Sequence, residues 1–338
     1  MLTRYIIKPL APLMTPIMSD TLFGHFCWAI RYQEGEKSLE SFLRRYDGHN
    51  PSPVLFSSAF PSGFLPRPAI PPMKREEARS FAERHFGSDM ESIYNGLARI
   101  KSWNKRRFIR MDLWQAIKDR YDNVALYERI FEDGDKSEQD NLTKILTAHN
   151  RISRLSGTVP PEGGGLFMRG KDWYLPGIVL DVYVQILDET MGDSVHDFLT
   201  RYLPQSGFGA DKSLGMGVLE IARDEHFKSD QMEVAGANAC VSLSLTAFPE
   251  MGAYPAFYHL CTKFGKLGGD FAFISPTGGD VRPFKKPVLM YEEGAVFFGS
   301  PRLGTMSLLD HVHSDVRIRH CGIPITLPLK IREDLSHA

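Results

Sequence analysis

Alternating apolar and polar positions predict four β-strands in the first two thirds of the chain. The clearest is GIVLDVYVQILD (177–188), in which every second residue from Ile178 to Ile186 is apolar. Shorter strands are predicted at 3–10, 53–60 and 217–224.

Apolar residues at helical spacing predict a buried helix over 19–32, with Ser19 or Asp20 as its N-cap. A second helix is predicted over 194–203. The apolar face of the first helix is formed by Leu22, Phe23, Phe26, Cys27 and Ile30, and Trp28 and Ala29 widen it.

The segment 61–170 separates the second and third strands and is interpreted as an insertion rather than core. It begins with a proline-rich stretch and contains predicted helices over 75–99 and 112–131, whereas 134–149 is polar without a strong pattern. Without the insertion, the order of elements is βαββαβ. The sequence therefore predicts an α+β fold whose first domain, residues 1–228, is ferredoxin-like (RRM-like).

The last third of the chain suggests a second, degenerate ferredoxin-like module over 233–338. A polar linker is predicted over 225–235, followed by an alternating strand, ACVSLSLTAF. A helix near 254–263 and strands near 287–298 and 316–331 complete the prediction.

Composition limits the possible functions. The 338 residues include 43% hydrophobic and 24% charged residues, with a formal net charge of −1. A protein with this charge does not wrap nucleic acid uniformly, so any polyanion site must be a local basic patch. We expect no membrane span and no signal peptide. The four scattered cysteines argue against a zinc site or disulfide framework and favour a reducing cytoplasm.

The glycine-rich stretch GFGADKSLGMG (207–217) resembles a phosphate-binding loop. A Walker loop requires G-K-[ST], but Asp211 precedes Lys212 here. A dinucleotide loop has a third glycine where Lys212 stands, and it opens a helix, whereas this loop is predicted to lead into a strand. The stretch therefore predicts either a surface turn or a flexible hairpin whose free N–H groups and single lysine approach a large anionic ligand.

Two basic stretches are candidates for RNA contact. KSWNKRRFIR (101–110) has five basic residues and no acid, interleaved with Trp103 and Phe108, although a solvated helix face has the same composition. HNRISRLSGT (149–158) carries hydrogen-bond donors suited to phosphates and 2′-hydroxyls, although a capped helix end uses the same residue types.

His25 is the one catalytic candidate, and a satisfied core histidine is the alternative. As a general base for RNA cleavage it would need a positioned acid and a cation; Tyr5 or a loop lysine could serve, but nothing in the sequence pairs them with His25. His311 and His313 have strand-like spacing but no acid-rich frame for a metal. We therefore expect no metal and no cofactor.

Five motifs in this order resemble one RAMP-superfamily family, the subunit of type III-A CRISPR effector (Csm) complexes that caps the 5′ end of the guide RNA. They are SDTLFGHFCWAI, SSAFPSGFLPRPAIPP, KSWNKRRFI, HNRISRLSGT and GFGADKSLGMG. KPVLMYEEGAVFF and CGIPITLPLKI also fit the C-terminal half of that family, so the resemblance covers nearly the whole chain.

The resemblance implies two ferredoxin-like modules without catalytic activity, which hold the repeat-derived 5′ tag of the crRNA. It implies as partners the large polymerase/cyclase-like subunit and a backbone RAMP subunit, with target RNA contacted indirectly. The glycine loop and Lys212 would line the tag, 149–154 would contact its sugar-phosphate chain, and 101–110 would lie in a thumb-like insertion. The RNA-binding candidates are Lys101, Lys105, Arg106, Arg107, His149, Asn150, Arg151, Arg154, Gly207, Gly209, Lys212, Ser213, Gly215 and Gly217, with Ser19 and His25 in addition.

The chain departs from the family at two points. Ser153 stands where the N-x-I-D-R pattern has an acid, and Leu214 and Met216 replace further basic residues in the glycine loop. Three alternatives stay open: a metal-independent RAMP endoribonuclease with His25 as base, a protein–protein bridge, and the equivalent subunit of a type III-B complex.

Overall fold

The computed structural model describes residues 1–135, 142–159, 165–247, 256–272, 283–299 and 306–332. Its helices are α1 (Ser19–Glu34), α2 (Glu36–Arg44), α3 (Arg75–Phe86), α4 (Met90–Asn104), α5 (Met111–Ile117), α6 (Asn123–Glu132), α7 (Gly192–Asp197) and α8 (Leu203–Ser206). Its strands are β1 (Leu2–Pro9), β2 (Val54–Phe56), β3 (Phe60–Pro61), β4 (Phe64–Pro66), β5 (Phe108–Arg110), β6 (Leu142–Asn150), β7 (Leu166–Tyr174), β8 (Leu180–Ile186), β9 (Leu219–Arg223), β10 (Ala239–Ser242), β11 (Ala256–Phe257), β12 (Leu260–Lys263), β13 (Val288–Tyr291), β14 (Val296–Phe298) and β15 (Thr326–Leu329).

The first sheet has the strand order β2–β8–β1–β9, and every pairing is antiparallel. Counted along the βαββαβ unit, this is the order 2-3-1-4 of a ferredoxin-like fold. Helix α1 connects the first two strands, and α7 connects to α8 through a π-helical stretch, Phe198–Tyr202, between the last two. Phe26 of α1 packs against Phe56 and Phe198, which joins both helices to the sheet. The predicted module is therefore confirmed.

Helix α1 begins at Ser19, where the predicted helix begins, but its N-cap differs from the prediction. Its N-cap is Met18, which makes no side-chain cap, so the expectation that Ser19 or Asp20 caps the helix was wrong. Ser19 is buried in the first turn, where its hydroxyl accepts a hydrogen bond from the Leu245 N–H at 3.0 Å. The serine thus ties α1 to the C-terminal module. Its own N–H donates to Ser58 Oγ at 3.1 Å.

The insertion contributes to the main hydrophobic core, contrary to the interpretation that 61–170 lies outside it. Phe81, Trp103, Trp114 and Tyr127 are buried within the same hydrophobic cluster as the first sheet. Each long predicted helix is divided in two because a new cap interrupts it. Asp89 accepts from the Ser92 N–H to start α4, and Asp122 accepts from the Ala125 N–H to start α6.

A second correction concerns the end of the insertion. The polar segment 134–149 contains strand β6, which forms a two-stranded antiparallel hairpin with β7 in the register His149↔Phe167. Residues 136–141 of that segment lie outside the described part of the chain. Two further strands, β4 and β5, pair within the insertion.

The second sheet has the order β11–β14–β10–β15, which repeats the order 2-3-1-4 with antiparallel pairing. The helix predicted near 254–263 was wrong, because the described residues of that segment form β11 and β12. Their backbones pair with β14 and β13 respectively, and these pairings decide the conformation of a locally ambiguous apolar segment. The strand predicted near 287–298 is split by a turn in which the Ala295 N–H donates to the Glu292 carbonyl.

The predicted linker, 225–235, is held in place by the insertion. It contains the short 3₁₀ helix Ser229–Met232, in which Met232 is buried. Lys118 Nζ donates to the Glu233 carbonyl at 2.6 Å and also to that of Gln231. The segment is thus fixed against α5. Among the described residues, no helix has the length and apolar character required to cross a membrane.

Candidate nucleic-acid interface

The glycine loop, Gly207–Gly217, joins α8 to β9, so the prediction that it leads into a strand is confirmed. Its four glycines all have positive φ, between 69° and 78°. A Cβ on Gly217 would lie 1.9 Å from the Phe208 carbonyl oxygen, which only glycine avoids. The loop is closed by the Phe208 N–H, which donates to the Gly217 carbonyl at 2.8 Å.

Few of the loop's N–H groups are free, which corrects the expectation of a flexible hairpin. Gly217 donates to the Pro12 carbonyl at 2.9 Å, and Ala210 donates to Thr15 Oγ1 at 3.3 Å. Within the described part of the chain, the N–H groups of Asp211, Lys212 and Ser213 donate no comparable hydrogen bond. The outermost turn of the loop therefore retains donors for a ligand, while its base is fixed to the segment that follows β1.

His25 supports the loop from α1. Its Nε2 accepts the Gly209 N–H at 3.1 Å, and its ring packs on Phe208 with the centroids 4.7 Å apart. Because Nε2 accepts, the proton of the neutral ring lies on Nδ1. Burial, with a contribution from nearby Lys212, lowers the pKa of His25 to about 3. The ring is therefore neutral at physiological pH and positions the loop.

The turn of the loop carries Asp211, Lys212 and Ser213. Lys212 and Ser213 are exposed, and partial burial of the ammonium group lowers the pKa of Lys212. Asp211 has a φ of 57° and forms an ion pair with Arg169 of β7. This ion pair brings the glycine loop against the β6–β7 hairpin.

The hairpin has two chemically different faces, because alternate residues of a strand point to opposite sides. One face, here called the cationic face, carries Phe167, Arg169, Lys171 and Trp173 of β7 and His149 of β6. His149 stacks on Phe167 with a centroid distance of 5.5 Å and an interplanar angle of 14°. The Arg169 guanidinium lies 5.5 Å from the Phe167 ring centroid and pairs with Asp211. The cationic face therefore adjoins the glycine loop.

The opposite face of the hairpin, here called the apolar face, exposes Leu146, Leu166 and Met168 to solvent. The base of the hairpin is attached to the segment after β1. Leu13 and Asp172 exchange two backbone hydrogen bonds, of 2.9 and 2.8 Å. These two hydrogen bonds anchor the hairpin to the segment after β1, beside the glycine loop.

Asn150, Arg151 and Arg154 lie where β6 ends, and all three are exposed. The Arg151 N–H donates to the Gly165 carbonyl at 2.6 Å. Ser153, which replaces the acid of the family pattern, bonds the Thr158 carbonyl through its N–H at 2.9 Å, and its hydroxyl accepts from Ser156 at 3.4 Å. The local turn therefore forms without the acid.

The basic stretch 101–110 is less cationic than its sequence suggests. Arg106 pairs with Asp135 at 2.5 Å, and Arg110 pairs with Asp112 and Asp133. The acids absent from the stretch are thus supplied from later in the chain. Lys101, Lys105 and Arg107 remain exposed.

The aromatic residues of this stretch do not both serve as stacking surfaces. Trp103 is 1% exposed and its Nε1 donates to Asp135 at 2.8 Å, so the prediction that its face is available for stacking was wrong.

Lys101 lies at helical spacing from Met90, Tyr94 and Leu97, which are exposed on α4. Among the described residues, the hydrogen bonds, ion pairs and ring contacts of 101–110 do not reach the glycine loop or the hairpin.

The remaining candidates lie apart from this surface. Ser19 is buried, and RNA contact by it stays a prediction. Tyr5 Oη lies 3.4 Å from His196 Nδ1, which is its hydrogen-bond partner. His313 accepts the Asp315 N–H through Nδ1 at 3.0 Å. No group of three or more His, Cys, Asp or Glu side chains in the described residues is arranged to hold a metal ion.

Sequence reasoning missed Phe167, Arg169, Lys171 and Trp173. The signal was present in LFMRGKDWY, where aromatic and basic residues alternate with a period of two over 167–173. An interpretation of this stretch as a strand would have placed them on one face.

No protein-family model matches the sequence, and no curated protein matches it. Solved structures match its fold. A chain of the Csm1-Csm4 cassette in complex with one ATP is 13% identical, with a TM-score of 0.54, covering 98% of this chain and 100% of that chain. The same cassette in complex with cA4 gives 14% identity, a TM-score of 0.54 and the same coverage.

A chain of the Csm3-Csm4 subcomplex of the type III-A CRISPR-Cas interference complex is also similar. It is 13% identical, with a TM-score of 0.51, covering 97% of this chain and 99% of that chain. Csm4 is the subunit that these structures have in common. This chain therefore has the fold of Csm4, and the resemblance to that RAMP subunit of type III-A complexes is confirmed at the level of the fold.

Proposed function

We propose that this protein is a non-catalytic RNA-binding subunit of a type III-A CRISPR ribonucleoprotein, which holds the 5′ repeat tag of the crRNA. The observation that carries the proposal is the Arg169–Asp211 ion pair, which joins the cationic face of the hairpin to the glycine loop. The two elements are distant in sequence, yet they form one surface with cations, a stacked aromatic pair and free backbone donors. These are the groups with which proteins bind single-stranded RNA.

The near-zero net charge is compatible with this proposal because the cations are concentrated locally. Lys212, Arg169, Lys171 and Arg154 belong to the loop, the hairpin and its end. Phosphates meet Lys212 and the outer N–H groups of the loop, while bases meet the His149–Phe167 pair. Binding of this kind releases counterions, so affinity falls as salt concentration rises.

The proposed subunit also contacts proteins. Structures that share its fold contain Csm1 or Csm3 together with Csm4, and we propose a large signalling subunit and a backbone RAMP subunit as its partners. The apolar face of the hairpin supports this part of the proposal, since Leu166 is 67% and Leu146 is 69% exposed. Exposed apolar side chains grouped on one face are typical of protein-interaction sites.

Binding of a tagged RNA tests the proposal. Fluorescence anisotropy compares an RNA that begins with the repeat-derived tag with a scrambled RNA of equal length, at several salt concentrations. The variant Lys212→Ala/Arg154→Ala is expected to weaken tag binding and to reduce the salt slope by about 1.4, since each lost contact to a single strand contributes about 0.7.

The matched control is Lys37→Ala/Arg120→Ala, which removes the same charge from exposed positions elsewhere. If both double variants bind the tagged RNA with equal affinity, the assignment of the site is wrong. Equal affinities for tagged and scrambled RNA would instead favour a subunit that only bridges proteins.

The endoribonuclease alternative is less well supported by the geometry. A general base must have a pKa near the working pH, whereas burial lowers that of His25 to about 3, and its Nε2 is engaged by the Gly209 N–H. Incubation of repeat RNA with the protein in EDTA separates the two functions. Specific cleavage that is lost in His25→Ala would support the enzyme.

A further inference from the structure

A cleft of about 270 Å³ lies at the base of the hairpin. One wall is the segment that ends β1, with Lys8, Leu10 and Pro12, and the other is the end of β7, with Trp173 and Tyr174. Trp173 is 43% exposed, and among the described residues no other aromatic ring or cation covers its indole. The cleft therefore presents an open aromatic plane that faces the segment ending β1.

One wall of the cleft is hydrogen-bonded to the end of the glycine loop. The Leu10 N–H donates to the Val218 carbonyl at 2.9 Å, and the Pro12 carbonyl accepts from Gly217 at the same distance. The wall that contains Leu10 and Pro12 is thus bonded to the end of the loop.

The cationic face of the hairpin leads to the same place. Arg169, Lys171 and Trp173 occupy alternate positions on one side of β7, so Arg169 and Trp173 are about 13 Å apart along the strand. Arg169 contacts the glycine loop, Lys171 lies between, and Trp173 borders the cleft. A second ammonium, that of Lys8, lies at the cleft and pairs with Glu220 at 3.6 Å. Both partners are exposed, so this pairing is weak and yields to a phosphate.

We propose that this cleft binds one unpaired nucleobase, stacked on Trp173, of the same RNA that the glycine loop holds. The inference rests on the proposed function. It extends that function by naming the path of the RNA strand beyond the glycine loop and the side chain on which one base stacks. Stacking on an aromatic plane is tolerant of base identity, and the adjacent lysines meet the flanking phosphates. A proline-rich peptide also fits a groove lined by aromatic side chains. The hydrogen bonds that join the wall to the end of the loop and the two lysines favour RNA.

The experiment places 2-aminopurine at each position of the tag RNA in turn and records its fluorescence upon binding. Stacking on Trp173 is expected to quench one position, and Trp173→Ala is expected to relieve this quenching. Base stacking accounts for about 1–3 kcal/mol per base, so the Kd of Trp173→Ala is expected to rise about 5- to 150-fold. Trp173→Phe, which keeps an aromatic plane, is expected to retain most of the affinity and quenching.

The matched control is Tyr94→Ala, which removes an exposed aromatic ring from α4 and is expected to leave Kd and quenching unchanged. If Lys212→Ala weakens tag binding but Trp173→Ala changes neither Kd nor any fluorescence, this inference is overturned while the proposed function stands. If the wild-type protein binds no tagged RNA, both are overturned. If Trp173→Ala abolishes binding of a proline-rich peptide but not of RNA, the cleft is a peptide site and the inference is wrong.

Discussion

The backbone N–H of Gly209 donates to Nε2 of His25 at 3.1 Å, which joins the glycine loop to the first helix across 184 residues of sequence. The bond requires an unprotonated Nε2. The histidine that most resembles a catalytic base in the sequence is thus a structural acceptor. The neutral state of His25 therefore determines whether this bond to the loop can form.

The variant His25→Gln is expected to weaken the dependence of stability on pH. The folded-state pKa of His25, about 3, lies below its ordinary value of 6.5. The unfolded chain therefore binds more protons between these values. The stability that neutral His25 contributes is present above about pH 6.5 and is lost as the pH falls towards 3.

Urea unfolding at pH 7.5 and pH 5.0 measures this effect. The free energy of unfolding of the wild type is expected to fall between the two pH values, and that of His25→Gln is expected to fall by about 2 kcal/mol less. Burial also lowers the pKa of His320 to about 3, so His320 contributes to the pH dependence of stability in both proteins. An identical loss of stability in the two proteins would contradict the assigned role.

Gly217→Ala is expected to be much more damaging than Gly215→Ala. Both glycines have positive φ, 69° and 78°, so both substitutions strain the backbone by about 1 kcal/mol. Only at Gly217 does the new Cβ meet the Phe208 carbonyl, at 1.9 Å, whereas Gly215 borders open space. Thermal unfolding is expected to show a loss of more than about 2 kcal/mol for Gly217→Ala and about 1 kcal/mol for Gly215→Ala. Equal losses would mean that the loop shifts to accommodate the methyl group.

Substitutions of Arg169 and of Asp211 are expected to change RNA affinity in opposite directions. Arg169→Ala removes a cation beside the loop, so tag binding weakens and the salt slope falls by about 0.7. Asp211→Asn removes the competing carboxylate and frees Arg169 for phosphate, and Asn tolerates the positive φ at this position. We expect Asp211→Asn to bind the tag more tightly at low salt. Anisotropy titrations at two salt concentrations measure both variants, and weaker binding by Asp211→Asn would contradict the model of competition.

The basic stretch offers a comparison between a paired and an unpaired cation. Arg106 is 19% exposed in its side chain and pairs with Asp135, so Arg106→Ala is expected to lower stability by about 1–3 kcal/mol. Lys105 is exposed, and Lys105→Ala is expected to change stability by less than about 0.5 kcal/mol. If this stretch contacts RNA, Lys105→Ala lowers affinity and Arg106→Ala does not. Thermal unfolding and anisotropy together separate the two effects.

The first ferredoxin-like sheet was predictable because its strands alternate and its helix α1 is strongly apolar. Both signals are local, and the pairings that complete the sheet follow from them. In the C-terminal module the same reasoning gave a helix near 254–263. Apolar and aromatic residues there fit either conformation, and pairing with β13 and β14 decides in favour of strand.

The candidate site was predictable only in part. The glycines and Lys212 were recognisable because their spacing is visible in the sequence. The partners of Arg106 and Arg110 were not, since Asp133 and Asp135 follow more than twenty residues later and meet them only in the folded insertion. Arg169 was missed for the same reason, because its importance arises from contact with Asp211, 42 residues away.

The exchange of hydrogen bonds between Leu13 and Asp172 has a mechanical consequence. A load applied to the hairpin, for example by an RNA pulled along its length, passes through these two bonds into the segment that carries Pro12. From Pro12 it reaches Gly217, and so the closure of the glycine loop. If the proposed RNA binding holds, tension on the hairpin is delivered to the glycine loop, and both elements oppose release of the strand.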